Sequence, residues 1–280
     1  GNYYADIGDF GSAGGAHFRL RRRFDRPIFS VGMGDNGFQR TAAAGSKDLG
    51  PGTLLAGGEW KEYDGPWTVG QNLKKHSGML RYTWQIGQNT FSLTGLGYTN
   101  GWNPSDQIPQ RAVDLGLISR FGQIDTTLAG ETSRYSISGN WTRSSANSSQ
   151  RVDIYGIRYD LDLLMNLTYF LDNPTQGDQL RQRDRNRKVA GLNMADLRAF
   201  NSLGKRHDVT SGIQLRLDHS NVSLHRARER LNYATVRSDH VDQQSTSAYL
   251  EIESPWTSYF RTVAGLRGDL LHSDIASNIT

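Results

Sequence analysis

The chain has no cysteine, only seven prolines, and no unbroken apolar run near the eighteen or so residues that a membrane-spanning helix needs. The first absence removes disulfide staples and thiolate-held zinc. The last removes a helical membrane protein. Hydrophobic residues reach 36% of the 280 positions, too few for helical spans. A membrane β-barrel is not excluded, because its strands alternate lipid-facing apolar residues with lumen-facing polar ones and average out polar. Charge of one sign is also lacking: 32 basic residues face 28 acidic ones, interleaved throughout, where a nucleic-acid partner would call for a concentrated basic face. No nucleic-acid binding is expected.

Catalytic and metal signatures are equally sparse. Histidines 17, 76, 207, 219, 225, 240 and 272 stand singly, without the short spacing of a metal pair, so no metal and no cofactor is expected. Gly32 and Gly34 lie in an extended segment with no helix behind them and form no phosphate cradle. There is no Gly-x-Ser-x-Gly elbow, and acidic pairs such as Asp160/Asp162 suit a charged lumen rather than acid–base catalysis. No catalytic residue is nominated and no enzyme is expected. The opening residues carry neither a basic nor an apolar leader region, and both ends read as cut from something longer.

What is present is glycine, 31 of them, with many Ser, Thr and aromatic residues, and a period of two. Tyr135, Ile137, Gly139 and Trp141 alternate with Arg134, Ser136, Ser138 and Asn140. Val209, Ile213, Leu215 and Leu217 oppose Gln214, Arg216 and Asp218; Phe260, Ala264, Leu266 and Leu270 oppose Arg267 and Asp269. Tyr155, Ile157, Tyr159, Leu161 and Leu163 oppose Arg158 and Asp160. The polar sets predict a lumen lined by Arg158, Asp160, Arg216, Asp218, Arg267 and Asp269. Trp60, Trp84, Trp141, Trp256, Tyr155 and Tyr159 fall on or near the apolar sets, where an interfacial girdle would sit.

Eleven strands are predicted, over 27–34, 38–47, 53–63, 73–86, 90–102, 132–145, 150–166, 188–203, 207–226, 242–253 and 259–275. Several exceed the nine to eleven residues that cross a bilayer at a tilt near 45°. Tight turns around 48–52, 87–89, 146–148, 204–206 and 254–256 alternate with longer loops at 64–72, 103–131, 168–187 and 227–241, which is the loop asymmetry of an outer-membrane barrel. The expected fold is all-β: an antiparallel transmembrane meander, unclosed within this chain because an odd number of strands leaves two edges.

The opening Tyr3-Tyr4-Ala5-Asp6-Ile7-Gly8-Asp9-Phe10-Gly11-Ser12-Ala13-Gly14-Gly15, followed by Phe18-Arg19-Leu20, resembles the plug-to-barrel junction of TonB-dependent outer-membrane receptors. Segments similar to the same family follow in order: Glu62-Tyr63-Asp64-Gly65-Pro66-Trp67, Trp102-Asn103-Pro104-Ser105-Asp106-Gln107-Ile108-Pro109-Gln110-Arg111-Ala112, Ser133-Arg134-Tyr135-Ser136, Thr168-Tyr169-Phe170-Leu171, Gly177-Asp178-Gln179, and 260–267. The resemblance implies that 1–26 end a plug domain and that 27–280 form the N-terminal half of a barrel of about 22 strands with a plugged lumen. It also implies a Gram-negative outer-membrane receptor, monomeric when full length, taking up a scarce ligand such as a siderophore, cobalamin or an oligosaccharide. Its implied partners are outer-membrane lipid and lipopolysaccharide, the transported small molecule, and the TonB complex through an N-terminal region this chain lacks. A passive porin and a soluble ligand-binding β-sandwich are the alternatives.

Within the outer loops, Trp102, Asp106, Gln107 and Arg111 combine an aromatic, a carboxylate, an amide and a guanidinium, a plausible ligand-contacting group. In the plainer reading, Pro104 and Pro109 merely shape a loop that packs on its neighbours. Arg181, Arg183, Arg185, Arg187 and Lys188 would attract anionic ligands or lipopolysaccharide phosphates, or else form a solvated strand entry paired with Asp172 and Asp178. Arg19 and Arg21, Arg22 and Arg23 read as ion-pairing partners between plug and wall.

Overall fold

The computed structural model describes residues 4–8, 15 and 18–278. Part of the junction motif (Tyr3 and 9–14), with His17, lies outside them. The described residues form one sheet in strict sequence order: β1 (Ile28–Met33), β2 (Gln39–Leu49), β3 (Gly52–Tyr63), β4 (Leu73–Ile86), β5 (Asn89–Trp102), β6 (Ala129–Ser144), β7 (Ser148–Met165), β8 (Leu180–Ser202), β9 (Lys205–Arg228), β10 (Leu231–Pro255) and β11 (Arg261–Ser277). A short helix, α1 (Gln110–Asp114), interrupts the longest loop. All ten pairings are antiparallel, and β1 and β11 are the two edges.

The ladder separates two faces with opposite chemistry. One carries Phe29, Leu54, Leu80, Leu93, Ile137, Ile154, Leu192, Ile213, Leu250 and Leu266 at successive register positions. The other carries Arg40, Glu59, Lys75, Arg81, Ser92, Thr94, Asn140, Asp153, Arg216, Asp218 and Asp269. Exposure runs against the pattern of a soluble protein: Ile137 is 59% exposed and Leu217 54%, whereas Ser92 is 4% and Asp218 6%. A soluble sandwich would seal the aliphatic face against a second layer. Here a single sheet leaves that face bare, as lipid contact requires.

Height along the strands is graded too. On β9 the apolar face runs Val209, Ser211, Ile213, Leu215, Leu217 and then turns polar at His219, Asn221, Ser223 and His225. Nine residues at about 3.4 Å make roughly 30 Å along the strand, or about 20 Å across a bilayer at the usual tilt. Below lies an aromatic belt near the short turns. Tyr82 stacks on Trp84 and Trp84 on Phe91, at 5.5 and 5.4 Å between centroids, with Trp141 directly opposite Phe91. Phe200 stacks on His207 at 5.2 Å, and Trp256 meets His207 edge-on. Such rings suit the headgroup boundary, apolar on one side and wet on the other.

Three expectations need correction. Tyr155 and Tyr159 lie on the polar face, where the Tyr155 ring covers Gly191 so closely that an added Cβ would sit 2.3 Å from it. They are not part of the belt. Arg158 and Asp160 do not share a face with Arg216 and Asp218: the β6–β7 register puts them beside Ile154 on the outward surface, above the apolar band. Strand β7 has apolar residues on both faces, so its own alternation did not reveal which one meets lipid. Finally, β8 begins at Leu180 and β10 at Leu231, so the expected long loops after β7 and β9 shrink, the second to the two-residue turn Glu229-Arg230. Both turn residues have positive φ, as a tight hairpin of this hand requires.

Residues before β1 lie along the polar face. Ala5 donates its amide to Glu251 and accepts from Arg267, and Asp6 accepts from Gln214. Farther along, Arg81 reaches the Leu20 carbonyl, the Phe24 amide meets Ser46, and Arg23 pairs with Asp48 at 2.8 Å. The described residues before β1 therefore touch the polar face at β9, β10 and β11 and again at β2 and β4.

Candidate functional site

The long connections gather at one end of the sheet and knit into a single polar cap. Loop 64–72 meets loop 103–128 where Thr68 donates to the Phe121 carbonyl, Asn103 donates to that of Gln71, and the rings of Trp67 and Phe121 meet edge-on at 5.9 Å. The Asp125 carboxylate is the hub. One oxygen accepts from the amide and hydroxyl of Thr127, at 2.9 and 2.7 Å; the other accepts from Asn166 at 2.8 Å and Gln179 at 3.0 Å. Gln179 is buried and also donates to the Thr127 hydroxyl. The β9–β10 turn closes the ring: Arg230 donates its amide to Gln179 and its guanidinium to Asn103 and to the carbonyls of Thr127 and Leu128. Four such contacts fix the position of Arg230 in the turn.

The four residues nominated from sequence are not all together. Asp106 faces Asp125 and Tyr169, and Gln107 lends its backbone carbonyl to the Tyr169 hydroxyl at 2.9 Å while its side chain is exposed. Trp102 ends β5 with its indole laid over Gly130, where an added Cβ would fall 2.4 Å from the ring, and so packs on the wall. Arg111 is exposed on α1. Sequence reasoning missed Asp125, Asn166, Gln179 and Arg230, and no local spacing announced them. Of the lumen-lining set, Arg216, Asp218, Arg267 and Asp269 share the polar face. There Arg187 and Arg216 converge on Asp218 at 2.7 and 2.8 Å, and Asp269 accepts from Arg267 and Ser247. The arginine run of early β8 pairs neither with Asp172 nor with Asp178. Arg181, Arg183 and Arg185 all converge on Asp162, while Asp178 accepts from the amides of Asp172 and Asn173.

Two carboxyls in the cap are tuned in opposite directions. Burial, reinforced by the charge of Asp125, pushes Asp106 up. Burial also pushes Asp125 up, but the bonds from Thr127, Asn166 and Gln179 together outweigh it and hold its carboxyl below the ordinary carboxylate range. Asp106, raised, contributes cap stability below its unfolded value that is lost as pH rises through its folded value. Asp125, lowered, contributes stability above its unfolded value of about 3.9 that is lost as pH falls through its folded value. Protection of amides 103–128 and 166–179 in hydrogen exchange, corrected for intrinsic rates, is thus expected to rise on mild acidification and collapse at lower pH. Asp106→Asn should remove the rise alone; an unchanged profile would refute this account.

No family model and no curated protein matches this sequence. Solved structures do. The ferric citrate transporter FecA in its unliganded form superposes with a TM-score of 0.72 at 8% identity, covering 90% of this chain and 38% of that one. The ferric-catecholate import receptor Fiu from E. coli K12, in its open form, gives 0.71 at 13% identity, over 92% and 46%. The siderophore receptor PiuA from Acinetobacter baumannii gives 0.57 at 12% identity, over 88% and 45%. The chain therefore has the fold of a segment of the TonB-dependent receptor barrel, and it spans less than half the length of the structures it matches.

Proposed function

We propose that this chain is the first half of the wall of an outer-membrane uptake receptor in a Gram-negative bacterium. In this reading 1–26 end a plug, 27–280 form the N-terminal barrel strands, and the cap at the long-loop end takes a scarce small ligand. The carrying observation is the cap itself. Loops far apart in sequence converge there, and polar groups remain unpaired within it: Trp67 Nε1 and Gln123 Oε1 are buried without a partner among the described residues, in the same loop cluster that holds the raised carboxyl of Asp106. Buried polar atoms left open call for a partner from outside the described residues, a water or a ligand. Ferric chelates are the favoured class, because the similar structures are described as a ferric citrate transporter, a ferric-catecholate importer and a siderophore receptor. The leader lying along the inner wall favours a plugged receptor over an open porin. Energy coupling would come from the TonB complex through an N-terminal region. Outward-facing Arg181, Arg183 and Arg185, above the apolar band, would meet lipopolysaccharide phosphates. The full-length receptor would be a monomer.

Binding of ferric citrate and ferric catecholates to the full-length receptor tests the reading. Asp106→Ala combined with Tyr169→Phe is expected to weaken the chelate that binds by at least about tenfold, near 1.4 kcal/mol. Unchanged affinity for the bound chelate would remove the cap from the ligand path.

A further inference from the structure

On the outward surface of β9 and β10, just above the apolar band, the register assembles what the spacing of histidines did not show. His219 lies directly opposite Asp242, and His240 opposite Asn221. The imidazoles of His219 and His240 meet edge-on at 4.5 Å. His219 Nδ1 lies 2.7 Å from Asp242 Oδ1, His240 Nε2 lies 3.3 Å from Asp242 Oδ2, and one ligand atom from each residue falls within 4.8 Å of the others. We propose that His219, His240 and Asp242 form a binding site for a first-row divalent cation of the zinc type.

The donor set is two imidazole nitrogens and one carboxylate, the chemistry that suits such ions. Bonds of about 2.0–2.2 Å from a shared ion ask for ligand pairs a little over 3 Å apart, so small side-chain rotations suffice. The ion would take the place of the proton between His219 and Asp242. An orienting group is already present: His240 Nδ1 donates to Asn221 Oδ1 at 2.7 Å, which fixes the tautomer and leaves Nε2 with its lone pair toward Asp242. Metal-binding histidines regularly have such a second partner. Asp274 on β11 is directly opposite Asp242, and its carboxylate is engaged by His272 at 3.1 Å. Among the described residues Lys188 on β8 is the cationic side chain directly across from the triad, opposite His219 with Arg158 beyond it, while Asp274 flanks the triad on the other side. All three ligands are part-exposed, so an ion reaches them from solvent at the outer headgroup level, on the side of the wall away from the lumen. The site is independent of the uptake reading.

Calorimetric titration of zinc chloride into the full-length protein in detergent micelles tests the site. One ion per chain is expected, with affinity falling at least about tenfold in His219→Ala, His240→Ala and Asp242→Asn. Asn221→Ala, which removes only the orienting acceptor, should cost about 10- to 100-fold. Cobalt(II) added to the unmodified protein should show ligand-field absorption of mixed imidazole and carboxylate coordination, a readout that needs no variant. Absence of that absorption, no saturable zinc uptake, or undiminished uptake in the folded His219→Ala/His240→Ala double variant would overturn the proposal.

Discussion

Mixed alone with lipid vesicles, the 280-residue chain is expected to yield no protease-protected, inserted monomer. The reason is the pair of edges. Strands β1 and β11 each pair on one side only, and β11 runs for 17 residues. Roughly half of the edge's backbone N–H and C=O groups point away from β10, and in hydrocarbon each unsatisfied group costs several kcal/mol. Even a handful within the bilayer adds up to more than the 5–15 kcal/mol by which a typical domain is stable. Co-sedimentation with vesicles followed by proteolysis measures the outcome. A protected monomeric band would show that the edges are closed in some way the sheet order does not contain. Protection confined to a dimer would leave the edge argument standing, since two copies can cover each other's edges.

The same sheet shows why so much of the architecture could be read from residue order and why certain parts could not. Where strands cross the band, lipid on one side and polar contacts on the other impose opposite demands on successive residues, and β6, β9 and β11 advertise both faces. Above the band both faces are wet. There Arg181, Arg183 and Arg185, or Asn232, Thr235 and Arg237, show no alternation and pass for loop, although they continue β8 and β10. Arg158 and Asp160 illustrate a second limit. Period two separates residues into two sets but cannot name the set that faces lipid; only pairing Ile154 with Gly139 and Leu192 does so. The cap is the extreme case, because Asp125 finds Asn166 and Gln179 41 and 54 residues away across two intervening strands. The triad of His219, His240 and Asp242 is likewise a product of register, its two histidines brought together by the β9–β10 hairpin.

A charge placed in the middle of the outward face tests the orientation of the whole wall. Leu215 sits within the uncharged part of the outward face of β9, flanked on the same face by Leu192 of β8 and Thr246 of β10. In a complete barrel containing this segment, Leu215→Arg puts a guanidinium against acyl chains, and a midplane arginine on a lipid face costs about 2–4 kcal/mol. At a factor of ten per 1.4 kcal/mol, the folding equilibrium in vesicles shifts roughly 30- to 700-fold toward the unfolded chain. The matched change on the other face is Asn193→Arg, a position opposite Asp153 and Gln214, where water and a carboxylate receive the new charge. Its expected effect is within about 1 kcal/mol, the usual size for a substitution at a half-buried position that leaves no charge unpaired. Urea titration of both variants in the same vesicles gives the comparison, and the sign of the difference matters more than its size. If arginine were tolerated at position 215 and costly at 193, the aliphatic residues would face protein or water and the bilayer would have to lie against the charged surface. Arg216, Asp218 and Arg267 would then need partners in hydrocarbon beyond those they have, an arrangement far more costly than the one the register describes.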